Sequence, residues 1–171
     1  MFNTAFDRVI GHEGGFQNDK KDRGNWTTGE VGKGLCKGTK FGISAMSYPE
    51  LDIQNLTVNQ AKDIYKRDWW NKYKLDNFHP AVAYQLFDAG INHGMKTAIK
   101  FLQRSVGVDD DGIVGPKTME AVNKLDEVEI AIGFLAARLQ YFTEVKTWNE
   151  YGKGWARRVV TNLKYVPEDI K

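Results

Sequence analysis

Apolar residues recur at three- and four-residue intervals through most of this chain. Phe2, Ala5, Phe6, Val9 and Ile10 form the first such stripe, the pattern of a helix with one buried face. Gly14 and Gly15 read as its stop. The next stretch, 16 to 44, loses that period. It is rich in Asn, Asp, Lys and Thr and carries six glycines between 24 and 42, punctuation that suits short strands and turns. Helical spacing resumes at "LTVNQAKDIYKRDWWNKY". There Thr57 and Gln60 form a capping-box pair, and Val58, Ala61, Tyr65, Trp69 and Tyr73 follow as a stripe. "HPAVAYQLFDAGINHG" places Pro80 at a first helical position and ends at Gly94. Met95, Ile99, Leu102 and Val106 continue the pattern, and "GPKTMEAVNKL" is again proline-first. Val128, Ile132, Leu135, Leu139 and Phe142 predict one more apolar face, and "WARRVVTNLKYV" a short last helix before Pro167. The pattern predicts six or seven helices with one glycine-rich β-hairpin insertion near the front: a mainly α, α+β fold. No fixed-period repeat or long linker divides residues 1–171, so a single domain is expected. Within it, 1–80 hold the front motif, the hairpin and the following helix, and 81–171 form a helical region.

Composition narrows the function. The chain has 171 residues with 24 Lys and Arg against 22 Asp and Glu, a formal charge of +2. That balance gives no electrostatic footprint for nucleic acid. Cys36 is the single cysteine, so neither a disulfide framework nor a cysteine-rich metal site is expected, and His12, His79 and His93 lack zinc-ligand spacing. The N-terminus has an acid at Asp7 and no long apolar run, unlike a signal peptide. No stretch is apolar enough for stable membrane insertion. The expectation is synthesis in the cytoplasm, with action elsewhere requiring separate release.

The candidate chemistry lies in "GHEGGFQNDKKDRG". One step beyond Val9 on the first stripe is Glu13, so its carboxylate falls beneath the apolar face. Desolvation there disfavours the charged form, and the negative end of a helix dipole acts in the same direction. An acid kept protonated near neutral pH can donate to a leaving oxygen; the same side chain could instead snorkel out to solvent or pair with a buried arginine. Asp22 follows beyond a turn-rich segment that a hairpin could fold back. Two carboxyls in unlike surroundings are what glycoside hydrolysis uses, separated by roughly 6.5–9.5 Å for inversion or about 5–5.5 Å for retention. Asp19 competes with Asp22, although such loop acids also serve as turn residues.

"EGGFQND..D.G" followed by "TKFGIS" resembles the front motif of glycoside hydrolase family 108, the phage-type muramidases, and its Glu-to-Asp spacing resembles phage lysozymes. "FDAGINHGMKTAIKFLQRSVGVDDDGIVGPKTMEAVN" is similar to the C-terminal peptidoglycan-binding-type region that accompanies the family. The resemblance implies a lysozyme-like fold. It also implies hydrolysis of peptidoglycan at the β-1,4 bond between N-acetylmuramic acid and N-acetylglucosamine, without a cofactor. By position, Glu13 matches the catalytic acid, Asp22 the second carboxylate and Thr39 the threonine that helps place water. An insertion around "NWTTGEVGKGLCKG" leaves Thr28 as a competitor to Thr39, and Ser44 stands where the family has threonine. The resemblance further implies a phage or prophage endolysin that acts as a monomer after release by a holin-like partner. A lytic transglycosylase on the same scaffold and a non-catalytic peptidoglycan-binding module are the alternatives.

Other features are weighed on the same terms. Trp69 continues a stripe and reads as core, whereas Trp70 lies off it and Trp26 sits in the loop beside the motif. Trp26 and Trp70, with Asp19 and Asn92, are therefore the candidate substrate contacts; Asn92 could equally cap its helix. "DDDG" at 109–112 fails the calcium-loop spacing and reads as a solvated turn. The basic residues of the last helix read as a solvated face rather than a lipid contact.

Overall fold

A computed structural model describes residues 1–10 and 15–171. Seven α-helices are present among them: α1 Phe2–Ile10, α2 Val58–Tyr65, α3 Pro80–His93, α4 Met95–Ser105, α5 Pro116–Val122, α6 Glu127–Glu144 and α7 Trp148–Asp169. Two short antiparallel strands, β1 Thr39–Lys40 and β2 Ile43–Ser44, form the hairpin. The mainly helical α+β expectation holds. The backbone divides into two compact units, Phe2–Lys72 and Tyr73–Lys171, the latter including Met1. No helix among the described residues is long and apolar enough to cross a membrane.

In the first unit all five stripe residues of α1 are buried. Phe2 meets Trp70 edge-on at 5.5 Å, and Phe6 lies 5.9 Å from Tyr65. The hairpin turn is Phe41-Gly42, with φ of 52° and 74°. Two positive-φ residues between paired strands match the right-handed strand twist, and Tyr65 fixes the turn by donating its hydroxyl to the Phe41 carbonyl at 3.0 Å. Thr57 caps α2, and the reciprocal bond from Gln60 completes the expected capping box.

The apolar stripe beyond Tyr65 departs from expectation. Lys66–Asn71 winds as a π-helix, whose wider turn carries Trp70, five positions after Tyr65, onto the buried face. Trp70 is 1% exposed, whereas Val58 is 50% exposed and Trp69 is half-buried.

In the second unit α3 is the central helix, buried from Ala81 through Gly90, with α4, α6 and α7 packed on it. Pro80 occupies its first turn as expected. The inward face of α6 is Ile130, Ala131, Phe134, Leu135, Arg138 and Phe142. Ile132 and Leu139 of the expected stripe point outward, at 50% and 36% exposure. The face is displaced because an arginine, invisible to an apolar count, occupies its centre. The last helix is much longer than expected: α7 begins at Trp148 and carries Pro167 in its final turns, where a missing N–H disturbs only the helix end. Gly152 lets the Trp148 ring lie against the backbone, since a Cβ there would come within 2.6 Å of it.

Candidate active site

The acid on which the sequence reading centred, Glu13, lies outside the described residues, as does Gly14. The rest of the front motif folds into one hydrogen-bonded frame. Residues Gln17 and Thr39 exchange backbone bonds, N–H to carbonyl at 2.9 and 2.8 Å, which sets their side chains beside one another. The approach is close: a Cβ on Gly38 would come within 2.5 Å of the Gln17 carbonyl, and Gly38 has φ of 85°, so only glycine fits there.

Asp22 caps a short 3-10 turn, Arg23–Asn25. Its Oδ1 accepts from the Gly24 N–H at 2.8 Å, and its Oδ2 accepts from Gln17 Nε2 at 3.3 Å. That turn drives Asn25 inward, to 0% exposure. Asn25 and Gln17 form a reciprocal amide pair, with bonds of 2.7 and 3.1 Å. Asn25 Nδ2 also donates to the Asp19 carbonyl at 2.9 Å, and Asn25 Oδ1 accepts from the Thr39 hydroxyl at 2.7 Å. Every hydrogen-bonding position of the buried amide is therefore filled, as burial demands. The result is a continuous path Asp22–Gln17–Asn25–Thr39.

Thr28 is not on that path. Its hydroxyl donates to the Lys33 carbonyl at 2.8 Å, closing the turn of the insertion. Asp19 contributes through its backbone; its carboxylate accepts from the Lys21 N–H at 2.9 Å in an Asx turn. The half-buried Trp26 donates its indole N–H to the Lys20 carbonyl at 2.9 Å, bracing the loop that carries Asp22. Trp70 is a correction: the π-helical turn packs it against Phe2, and at 1% exposure it has no face for a sugar. Asn92, in the second unit, is exposed and donates to the Asp88 carbonyl at 2.6 Å, one turn back in its own helix. Gln17 and Asn25 were missed by the sequence reading. Gln17 stands inside the quoted motif, but nothing in its residue type marks it out.

The second unit holds a further polar cluster that the periodicity concealed. Asp88, 1% exposed, accepts from Arg158 Nη2 at 2.7 Å, from Arg138 Nη1, and from Asn162 Nδ2 at 3.0 Å. Burial pushes the Asp88 pKa up, but the two arginines outweigh it and hold the carboxyl below its ordinary range. Beside it, burial and the Arg138 charge push His93 down to about 4, against the pull of Asp88. The neutral ring accepts from Arg138 Nε at 3.2 Å. Arg158 thus turns inward from the helix whose basic residues were expected to be solvated. The sequence signal was Asp88 itself, an acid inside an otherwise apolar run.

A family model described as Glycosyl hydrolase 108 matches residues 6–94, and one described as Predicted Peptidoglycan domain matches residues 97–160. Among solved structures, the chain is similar to SagA of Brucella abortus, with a TM-score of 0.78 and 31% identity, covering 98% of this chain and 94% of that one. No curated protein matches. Family model and structural likeness agree across both units, and with them the resemblance of the front motif becomes membership. The chain belongs to the glycosyl hydrolase 108 family and is a lysozyme-like N-acetylmuramidase, a glycoside hydrolase of peptidoglycan.

Proposed function

We propose that Glu13 protonates the glycosidic oxygen, that Asp22 is the second carboxylate, and that Thr39 helps place the attacking water. The observation that carries the assignment is the path Asp22–Gln17–Asn25–Thr39. It holds a carboxylate and a hydroxyl from distant parts of the sequence on one amide pair whose Asn25 is wholly buried, which is the pre-organisation a catalytic pair needs. The Thr39 hydrogen is committed to Asn25, leaving the hydroxyl oxygen to accept from water. Asp22 serves to orient that water or to stabilise positive charge developing on the sugar.

The test uses purified peptidoglycan and fragment mass spectrometry. Wild type releases fragments with reducing-end muramic acid; Glu13→Gln abolishes release, and Asp22→Asn reduces it at least 100-fold. Fragments with 1,6-anhydro ends would instead assign a lytic transglycosylase. Wall clearing that persists in Glu13→Gln would assign a binding module.

In its biological setting the protein acts as a monomeric phage or prophage endolysin, made in the host cytoplasm and released to the wall by a holin-like partner. The peptidoglycan substrate supports this reading. Its check is co-expression: the enzyme alone leaves cells intact, and adding a membrane-permeabilising protein lyses them. Lysis by the enzyme alone would refute the dependence.

A further inference from the structure

A second candidate site lies in the second unit, at the loop joining α4 to α5. Gln103, 1% exposed, organises this loop. Its Nε2 donates to Asp111 Oδ1 at 2.7 Å and to the Ile113 carbonyl at 3.0 Å, and lies 3.2 Å from Thr118 Oγ1. Its Oε1 accepts from the Gly112 N–H at 2.8 Å. Gly112 has φ of 78°, and Asp111 Oδ1 also accepts from the Ile113 N–H at 2.8 Å. A buried amide bonded to this degree fixes the backbone. Yet the loop it fixes holds Ile113 outward, 66% exposed, with Val114 at 36%. Ile113 thereby presents aliphatic surface to the adjoining groove. That groove measures about 690 Å³, within the roughly 300–1,000 Å³ typical of small-ligand sites.

The groove wall states the chemistry of its occupant. Val108, Ile113 and Pro116 provide aliphatic surface, Asp109 a carboxylate and Lys117 an ammonium. Asp109 and Lys117 form no ion pair among the described residues. None of the described lining residues is aromatic, so the ring faces on which sugars stack are missing. We infer that this groove binds the peptide stem of peptidoglycan rather than its glycan. Such a stem offers small methyl side chains to the aliphatic wall, a free amino group to Asp109 and a terminal carboxylate to Lys117. The inference rests on the peptidoglycan reading for its ligand class but not on the assignment of Glu13, Asp22 and Thr39. It gives the enzyme a hold on the wall that is chemically separate from the bond it cuts.

The experiment is calorimetric titration of the full chain with a wall-derived tetrapeptide, and separately with glycan strands stripped of peptide. The tetrapeptide binds wild type, and Ile113→Asp and Asp109→Lys each weaken it at least tenfold. Both sites are exposed, and matching melting curves verify that the variants fold. Cleavage of short peptide-free glycan by the variants stays at the wild-type rate, so loss of peptide binding and loss of catalysis are read independently. The proposal is overturned if wild type does not bind the tetrapeptide at millimolar concentration, or if both variants bind it as wild type does. It is equally overturned if the variants lose affinity for stripped glycan, or if they abolish self-association of wild type, since the groove would then hold sugar or a second copy.

Discussion

The Thr39 hydroxyl donates to Oδ1 of Asn25 at 2.7 Å, and through that bond a half-exposed residue is held by a wholly buried one. Asn25 has no other route to satisfaction: its neighbours are Gln17, the Asp19 carbonyl and Thr39, and each bond serves two residues at once. The geometry of the frame and the stability of the loop are therefore the same property.

Replacing Asn25 tests that coupling. Asn25→Ala leaves the Gln17 amide and the Thr39 hydroxyl without their buried partner, a loss of about 1–3 kcal/mol. With Thr39 and Asp22 released, kcat should fall about 10- to 100-fold while KM changes little. Steady-state kinetics on soluble glycan fragments, beside urea unfolding, separate the two effects. An unaltered kcat in a folded variant would remove Asn25 from the machinery.

Gln17 makes a directional prediction. Its Nε2 donates to Asp22 Oδ2 at 3.3 Å, so Gln17→Glu exchanges a donor for a second carboxylate. Like charges at that distance disfavour ionisation. The acid limb of the kcat/KM profile should therefore move to higher pH, whereas Gln17→Ala, which only removes the donor, should move it less far in the same direction. A pH–rate series on both variants checks it, and coincident acid limbs would sink the idea.

The two tryptophans proposed from sequence as sugar contacts now separate. Trp70→Ala empties a core position, at a cost of about 3–5 kcal/mol, and the folded fraction should keep its affinity for glycan. Trp26→Phe keeps a ring but loses the bond to the Lys20 carbonyl, so it should slow turnover by loosening the Asp22 loop. Thermal melts with binding assays decide the matter. Intact stability in Trp70→Ala would contradict its place against Phe2.

The legible part of this protein was whatever a period can encode. The faces of α1 and α4, the capping box at Thr57 and the proline-first helices appear in the structure because side-chain spacing and terminal hydrogen bonding determine them locally. The front motif was legible by resemblance; the connection of Asp22 to Thr39 through Gln17 and Asn25 was not. The failures have physical causes. A π-helical turn changes the residues-per-turn number, so a stripe counted at 3.6 assigns Trp69 and Trp70 to each other's places. On α6 the buried face is centred on Arg138, which an apolar count rejects. Arg138 is inside because Asp88, on another helix, is inside as well, and no local pattern encodes a pair that distant. Gln17 and Asn25 were hidden likewise: Asn25 becomes a buried strut, with the exposed Gln17 as its partner, only when the chain returns at Thr39.

Asp88 and Arg138 are expected to be costly to separate. Asp88→Asn keeps the size of the side chain but leaves two guanidinium groups facing a neutral amide, and Arg138 is wholly buried. Breaking one side of such a pair costs about 3–5 kcal/mol. Urea unfolding should show the loss, and Asp88→Asn combined with Arg138→Met should recover part of it. Failure of the double variant to recover any stability would mean the cluster is held by something other than the pair.

His93 gives the fold a pH dependence of known sign. Its folded pKa, about 4, lies below the unfolded value of about 6.5. Between those values the unfolded chain binds more protons, so stability rises with pH across the window and is lost as pH falls from about 6.5 towards 4. The full linkage value of such a shift is about 3 kcal/mol; water's access to the ring reduces the expected loss to about 1–2 kcal/mol. Asp88, held below its ordinary range, loses its stabilising contribution only at lower pH, as the folded carboxyl takes up its proton. Urea unfolding of wild type and His93→Gln at half-unit steps from pH 4 to 7.5 isolates the histidine, because the difference between the two curves cancels the carboxylates common to both. The wild-type curve should fall more steeply below pH 6.5, and the two should run parallel above it. Parallel curves throughout would show that the proton is taken up equally by folded and unfolded chains, and that the Arg138 bond to the ring does not depend on its being neutral.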